Sequence, residues 1–187
     1  MPNFASSPVA PSVLVLFAHP DPDASLANRI LSQAAQHLPH VTFHDLYATY
    51  PDFFIDVAYE QALLSRHQVI VFQYPLYMYS CPALLKEWMD CVLGKDYAYG
   101  AGRALQGKIW RSVITTGGSK AAFSKQGYNG CTLSEILAPF RLTAALCQMH
   151  WCEPFVIYWA RRISDSERLY HAECYRDWLI SLMPQGE

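Results

Sequence analysis

Hydrophobic and polar positions divide the chain into two alternating kinds of segment. Residues 13–17, Val-Leu-Val-Leu-Phe, are apolar throughout and rich in β-branching, the pattern of a strand covered on both faces in a parallel sheet. Residues 25–38 carry apolar side chains at helical spacing instead: Leu26, Ile30, Leu31, Ala34, Ala35 and Leu38. They follow a serine able to cap the helix and precede Pro39. The alternation continues, with strands expected at 41–46, 69–73, 109–115 and 155–159 and helices at 58–66, 82–93, 132–148 and 165–182. Five strands alternating with five helices predict a doubly wound α/β sandwich: a five-stranded parallel sheet, order 2-1-3-4-5, with helices on both faces. Residues 12–183 read as one domain, and residues 1–11, with three prolines, as a flexible leading segment.

Charge and composition narrow the function. The 187 residues include 14 Lys and Arg against 16 Asp and Glu, so no broad positive field exists to hold nucleic acid or an anionic bilayer. Charged residues make up 16% of the chain and aromatics 14%, against roughly 25% charged in an average protein. That balance favours a surface covered by a second copy, a partner or a flat ligand. The six cysteines, Cys81, Cys91, Cys131, Cys147, Cys152 and Cys174, contain no C-x-x-C and read as free thiols. No basic stretch followed by an apolar one precedes the first strand, which points to the cytosol. No apolar run reaches the roughly 20 residues of a membrane span, so direct membrane insertion is not expected.

In doubly wound sheets ligands bind beyond the carboxyl ends of the strands, which directs attention to three loops. After the first strand, Ser25 and Asn28 fall at a helix N-terminus, where free N–H groups and the helix dipole favour a phosphate, and His19 can add a hydrogen bond or a charge. After the third, Tyr74, Leu76, Tyr77, Met78 and Tyr79 offer apolar and aromatic surface suited to a planar heterocycle. After the fourth, Thr115-Thr116-Gly117-Gly118 combines hydroxyls with glycines that let a ligand approach the backbone. Taken singly, each loop is also explained as a cap or an ordinary crossover.

Three other motifs fail on inspection. Residues 102–108 match G-x-x-x-x-G-K, but Ile109 replaces the hydroxyl residue and the segment precedes a strand. Gly100-Ala101-Gly102 lacks the third glycine of a dinucleotide fingerprint, Leu105 standing there. Ala18-His19-Pro20-Asp21 is similar to the start of zinc-dependent deacetylases, but Pro22 replaces the next acid. The H-x-x-H at His37 and His40 is interrupted by Pro39. A zinc deacetylase stays only a minor alternative, and no metal ligand is assigned.

Together, A-H-P with a following S-x-x-N, P-x-x-x-x-S-x-P-A-x-L-K-x-W-x-D over residues 75–90 and T-T-G-G over 115–118 resemble the flavodoxin-like NAD(P)H:quinone oxidoreductases. Residues 46–56, 80–88, 149–151 and 158–162 further resemble the ancillary proteins of bacterial glutathione-regulated potassium-efflux systems, of the type that serves a KefB potassium:proton antiporter. The resemblance implies a flavodoxin-like fold and a bound FMN, with FAD possible. The phosphate would sit on Ser25, Leu26, Ala27 and Asn28 beside His19; the isoalloxazine would lie against Leu76, Tyr77, Met78 and Tyr79, with Thr115, Thr116, Gly117 and Gly118 along its other edge. NADH or NADPH would be co-substrate and a quinone the hydride acceptor. It also implies a homodimer held at the cytoplasmic face of the inner membrane through the antiporter.

Two departures from that family matter. Met78 stands where relatives commonly place a tryptophan, and Phe123 and Asn129 stand where some use a Tyr and a His to handle charge on reduced flavin. Neither Phe123 nor Asn129 can exchange a proton, so no catalytic side chain is assigned beyond the flavin itself. The alternative is a flavodoxin-like regulatory subunit that binds its partner with little or no turnover. Arg161 and Arg162 read as a solvated pair, Cys81 as a packed thiol, and Trp88, Trp110, Trp151, Trp159 and Trp178 as core or dimer contacts.

Overall fold

The apolar run Val13–Phe17 becomes β1, an interior strand buried along its whole length, hydrogen-bonded in parallel to β2 (Val41–Asp45) on one side and β3 (Val69–Pro75) on the other. Val13 lies opposite both Val41 and Val69. β4 (Ile109–Thr115) continues the sheet from β3, with Pro75 paired to Thr115 at its carboxyl end. Strand order is β2-β1-β3-β4-β5, the order expected. This computed structural model describes residues 12–183; the flexible segment expected at 1–11 lies outside the described residues.

Side-chain alternation along the strands builds two cores. Leu14, Leu16, Ile70, Phe72, Tyr74, Trp110 and Ile114 face one side, where α2 (Leu46–Thr49), α3 (Val57–Ser65), α4 (Ala83–Val92), α5 (Leu133–Ile136) and α6 (Ala138–Leu146) cover them. Val13, Val15, Val69, Val71 and Val113 face the other, under α1 (Leu26–Gln36) and α7 (Asp165–Ser181). Each fully buried aliphatic side chain stabilises by about 1.5 to 3 kcal/mol, so neither layer is dispensable. Phe72 stacks on Trp110 with ring centroids 3.9 Å apart, and Trp88 meets Phe72 edge-on.

The first core also encloses a polar knot. Glu60 of α3 is fully buried; its Oε1 lies 2.7 Å from His44 Nε2 and accepts from Tyr50 Oη at 2.6 Å, while Oε2 accepts from Trp88 Nε1 at 2.8 Å. One carboxyl group thus joins β2, the chain after α2, and α4.

Two expected elements change. The helix expected at 132–148 divides at Leu137 into α5 and α6, because Pro139 has no N–H to donate and its ring crowds the preceding turn. The fifth strand is interrupted: β5 (His150–Trp151) pairs with Ile109 and Trp110, β6 (Phe155–Ile157) pairs with Val113 to Thr115, and Cys152, Glu153 and Pro154 bulge between them. The sheet therefore counts six strands where five were expected. The short α2, capped by Asp45, carried no signal separate from the strand before it. No helix among the described residues is long and apolar enough to cross a membrane.

Candidate functional site

The carboxyl ends of β1, β3 and β4 open into one cleft of about 630 Å³. The β1 loop supplies His19 and leads into α1, whose N-cap is Ser25: its Oγ accepts from the Asn28 amide at 3.4 Å. As at any helix start, the first N–H groups have no intrahelical acceptor, so Leu26 and Ala27 bring donors to the cleft wall. His19 is nearly buried, and its Nδ1 accepts from the Asp21 N–H at 3.1 Å, which leaves the proton on Nε2. Burial holds the His19 pKa below the usual imidazole value, with Arg161 adding to the depression and Asp21 and Asp45 opposing it. Of the two roles the sequence left open for His19, the structure favours a neutral hydrogen-bond donor.

Asn28 faces inward. Its Nδ2 donates to Ser25 Oγ at 3.0 Å and to Thr115 Oγ1 at 2.9 Å, and its backbone carbonyl accepts from Gln73 Nε2. It is absent from the cleft lining and acts as a strut between α1 and β4. Thr116 Oγ1 donates to the Gly118 carbonyl at 2.8 Å, shaping the turn after β4. A Cβ placed on Gly117 would meet no atom within 4 Å, while one on Gly118 would lie 3.1 Å from the Phe123 ring. Gly117 therefore keeps the cleft wall open, and Gly118 makes room for Phe123.

After β3 the chain makes a tight turn. Tyr77 and Ser80 exchange backbone hydrogen bonds, and Met78 (φ 47°) and Tyr79 (φ 62°) both occupy the left-handed region, an uncommon conformation for non-glycine residues. That turn throws Met78 outward, 91% exposed, and Tyr79 Oη donates to Asn129 Oδ1 at 3.3 Å. Pro75, Leu76 and Tyr77 line the cleft; Met78, Tyr79 and Gly118 do not. The left-handed turn thus leaves Met78 on the outer side of the loop, off the lining of the cleft. Phe123 packs on Tyr158 and Asn129 on Tyr79, both outside the cleft.

The sequence reading also missed lining residues. Arg161 and Arg162 are exposed, as expected of a solvated pair, and they also line the cleft, because Trp159 N and Ala160 N donate to the carbonyls of Gly118 and Thr116, docking the β6 to α7 connection beside the β4 loop. Both follow the fifth strand, where the strand-end rule also points. Arg168 lines the same cleft from the first turns of α7. Its signal was a charge in an apolar stripe: Arg168, Ala172, Tyr175 and Leu179 share one buried helix face.

A second hollow of about 270 Å³ lies against β5 and β6, lined by Leu133, Leu137, Trp151 and Tyr158, away from the loops that carry the motifs. Cys81 is buried, which pushes its thiol up to about 11, as befits a packed residue. Among the described residues, no three His, Cys, Asp or Glu side chains are grouped to hold a metal ion.

A parallel sheet in this order with a cleft at its carboxyl edge defines the flavodoxin-like class, and the model of the flavodoxin-like fold family matches residues 11–179. The chain is 57% identical over 177 residues to the glutathione-regulated potassium-efflux system ancillary protein KefG of Erwinia tasmaniensis, covering 94% of this chain and 96% of that one. It belongs to the flavodoxin-like family, within the KefG group. Among solved structures, general stress protein 14 of Treponema denticola in complex with FMN superposes with a TM-score of 0.86 at 38% identity, covering 92% of this chain and 100% of that one. An NADPH-quinone reductase from P. pentosaceus gives 0.83 at 28% identity, covering 94% and 99%.

Proposed function

We propose that this protein is an ancillary subunit of a glutathione-regulated potassium:proton efflux antiporter of the KefB type, required for its full activity, and that the cleft holds FMN. The observation that carries the flavin reading is the open wall at Gly117. Three loops of different sequence character meet around a space where a Cβ would touch nothing, at the strand ends where the fold class binds ligands. The cleft also has a size typical of a small-ligand site.

When bound, FMN supplies two-electron hydride chemistry between NADH or NADPH and a quinone. This chain's contribution is placement. The N–H groups at the start of α1 and the His19 Nε2–H would meet the phosphate arm, with Asn28 holding Ser25 and Thr115 in register. Leu76 and Tyr77 would pack against the ring system and exclude water, and the backbone of Thr115 to Gly117 would meet its polar edge.

The reading predicts uptake of about one FMN per chain, seen as a visible absorption band, with quinone-dependent oxidation of NADH or NADPH. Failure to take up FMN would remove it. A second reading has its own support: Phe123 and Asn129 sit outside the cleft on Tyr158 and Tyr79, so no proton relay passes through them. Flavin uptake without turnover would favour a binding subunit over an enzyme. Exposed Met78 and Tyr128 would then suit contact with a second copy or with the antiporter at the cytoplasmic face of the membrane.

A further inference from the structure

We propose that the hollow between the α5–α6 break and the β5–β6 bulge is a second binding site, for a free aromatic amino acid held as its zwitterion. It stands apart from the flavin reading above and does not depend on it.

The hollow exists because two interruptions of regular structure face each other. On one side Pro139 divides the helix at Leu137 into α5 and α6; on the other, residues 152–154 leave the strand line between β5 and β6. Both walls are held in place. Cys152 N donates to the Trp110 carbonyl at 2.9 Å and Arg111 Nε to the Glu153 carbonyl at 3.2 Å, which fixes the bulge to β4. Across the gap, Thr132 and Glu135 cap the start of α5 reciprocally, and the Leu137 N–H donates back to the Leu133 carbonyl. The space of about 270 Å³ is therefore preformed.

Size and lining set the chemistry of the occupant. A space just under the roughly 300 to 1,000 Å³ of drug-sized sites suits a single ring and excludes a flavin or a dinucleotide. Trp151 and Tyr158 supply aromatic wall, and Leu137 and Val156 aliphatic wall, so the body of the ligand is flat and apolar. Two full charges also line the hollow, Arg141 from α6 and Glu153 from the bulge, and both side chains are exposed. The ion pairs among the described residues join His44 to Glu60, Lys86 to Asp90, Lys125 to Glu135 and Arg168 to Asp165, so Arg141 and Glu153 are left for a ligand. A forked guanidinium suits a carboxylate, and a carboxylate suits an ammonium. A free α-amino acid carries both groups on one carbon beside its side chain, whereas either end of a peptide keeps only one of them.

Titrations of the full chain with L-phenylalanine, phenylpropionate and phenethylamine test the assignment, followed by calorimetry and by tryptophan emission, since none of the three ligands carries an indole. Phenylalanine should bind at millimolar concentration or below, and more tightly than either single-charge analogue by at least about threefold. Arg141→Gln and Glu153→Gln alter only exposed side chains and should keep the wild-type Tm. Arg141→Gln should weaken phenylalanine and phenylpropionate at least about threefold and spare phenethylamine; Glu153→Gln should weaken phenylalanine and phenethylamine and spare phenylpropionate.

No binding of phenylalanine at about 10 mM would overturn the site. Equal affinity for the three ligands, or the same response of both variants to every ligand, would overturn it as well. Failure to take up FMN removes the flavin reading and leaves these titrations intact. In FMN-loaded protein, phenylalanine should bind without releasing the flavin, and competition between the two would place phenylalanine in the cleft and overturn the second site.

Discussion

Asn28 Nδ2 donates to Thr115 Oγ1 at 2.9 Å, joining the first turn of α1 to the last residue of β4 across 87 positions of sequence. The same amide group holds Ser25 Oγ, so one side chain sets the spacing between two of the loops that shape the cleft. Asn28→Ala leaves the buried Thr115 hydroxyl without that donor, while Ser25 Oγ keeps the backbone N–H of residue 28, and should cost about 1 to 3 kcal/mol in urea unfolding. Its loss of FMN affinity should exceed that of a change outside the cleft lining such as Tyr79→Phe, as read by fluorescence titration.

The adjacent glycines separate folding from binding. Gly117→Ala should leave Tm within about 2 °C of the wild type, since its Cβ meets nothing, yet weaken FMN at least tenfold by filling the space the ligand needs. Gly118→Ala should do the reverse at first, lowering stability by about 1 kcal/mol through its contact with Phe123. Paired thermal melts and titrations on the two variants test this, and an equal effect of both on Tm would contradict it.

Glu60 satisfies donors from β2, from the chain after α2 and from α4 inside the first core. Glu60→Ala would strand His44, Tyr50 and Trp88 without an acceptor and should destabilise by about 3 to 5 kcal/mol. Trp88 emission offers a direct readout, because the variant removes the hydrogen bond to its indole N–H.

Stability should also fall with mild acid. Burial holds His19 and His67 below the imidazole value of the unfolded chain, with Lys108 and Arg66 adding to the effect at His67. Folded pKa values lowered in this way mean that the stabilisation is complete above about pH 6.5 and is lost as pH falls through the folded values. His67 Nδ1 donates to the Leu63 carbonyl and its Nε2 accepts from Thr42 Oγ1, so the neutral ring is fully used. Urea midpoints between pH 7.5 and 5 should drop for the wild type and drop less for His67→Gln, which cannot titrate.

Thiol reactivity should follow the same logic. Burial pushes Cys81 and Cys147 each up to about 11, so both should be the last to be alkylated at pH 8, well after exposed Cys91. Mass spectrometry of a time course gives the order.

Strand order, the helix layers and the location of the cleft were legible because they follow from rules that act over whole segments: apolar runs, helical spacing and the strand-end position of binding loops. The break at Leu137 was legible too, in Pro139, but the strong apolar spacing around it masked the signal. What escaped was set by side-chain direction. Met78 and Tyr79 look like a ligand wall in one dimension, and only the left-handed turn, with two residues at positive φ, turns them away from the cleft. Arg161 and Arg162 are solvated as their sequence suggests, and only two backbone hydrogen bonds, invisible in one dimension, bring their segment beside the β4 loop. Arg168 was the more readable of the missed residues, since a lone charge within a buried helical stripe already asks for an explanation.

The bulge at Cys152 to Pro154 bears on how copies of this protein can meet. It splits the outermost strand into pieces of two and three residues, and Pro154 withholds an amide between them. No continuous ladder of free donors and acceptors runs along that side, so a neighbouring molecule cannot extend the sheet there and growth into fibres is blocked from that direction. An assembly made on that side must instead rest on side chains meeting face to face, which a single well-chosen substitution can disrupt.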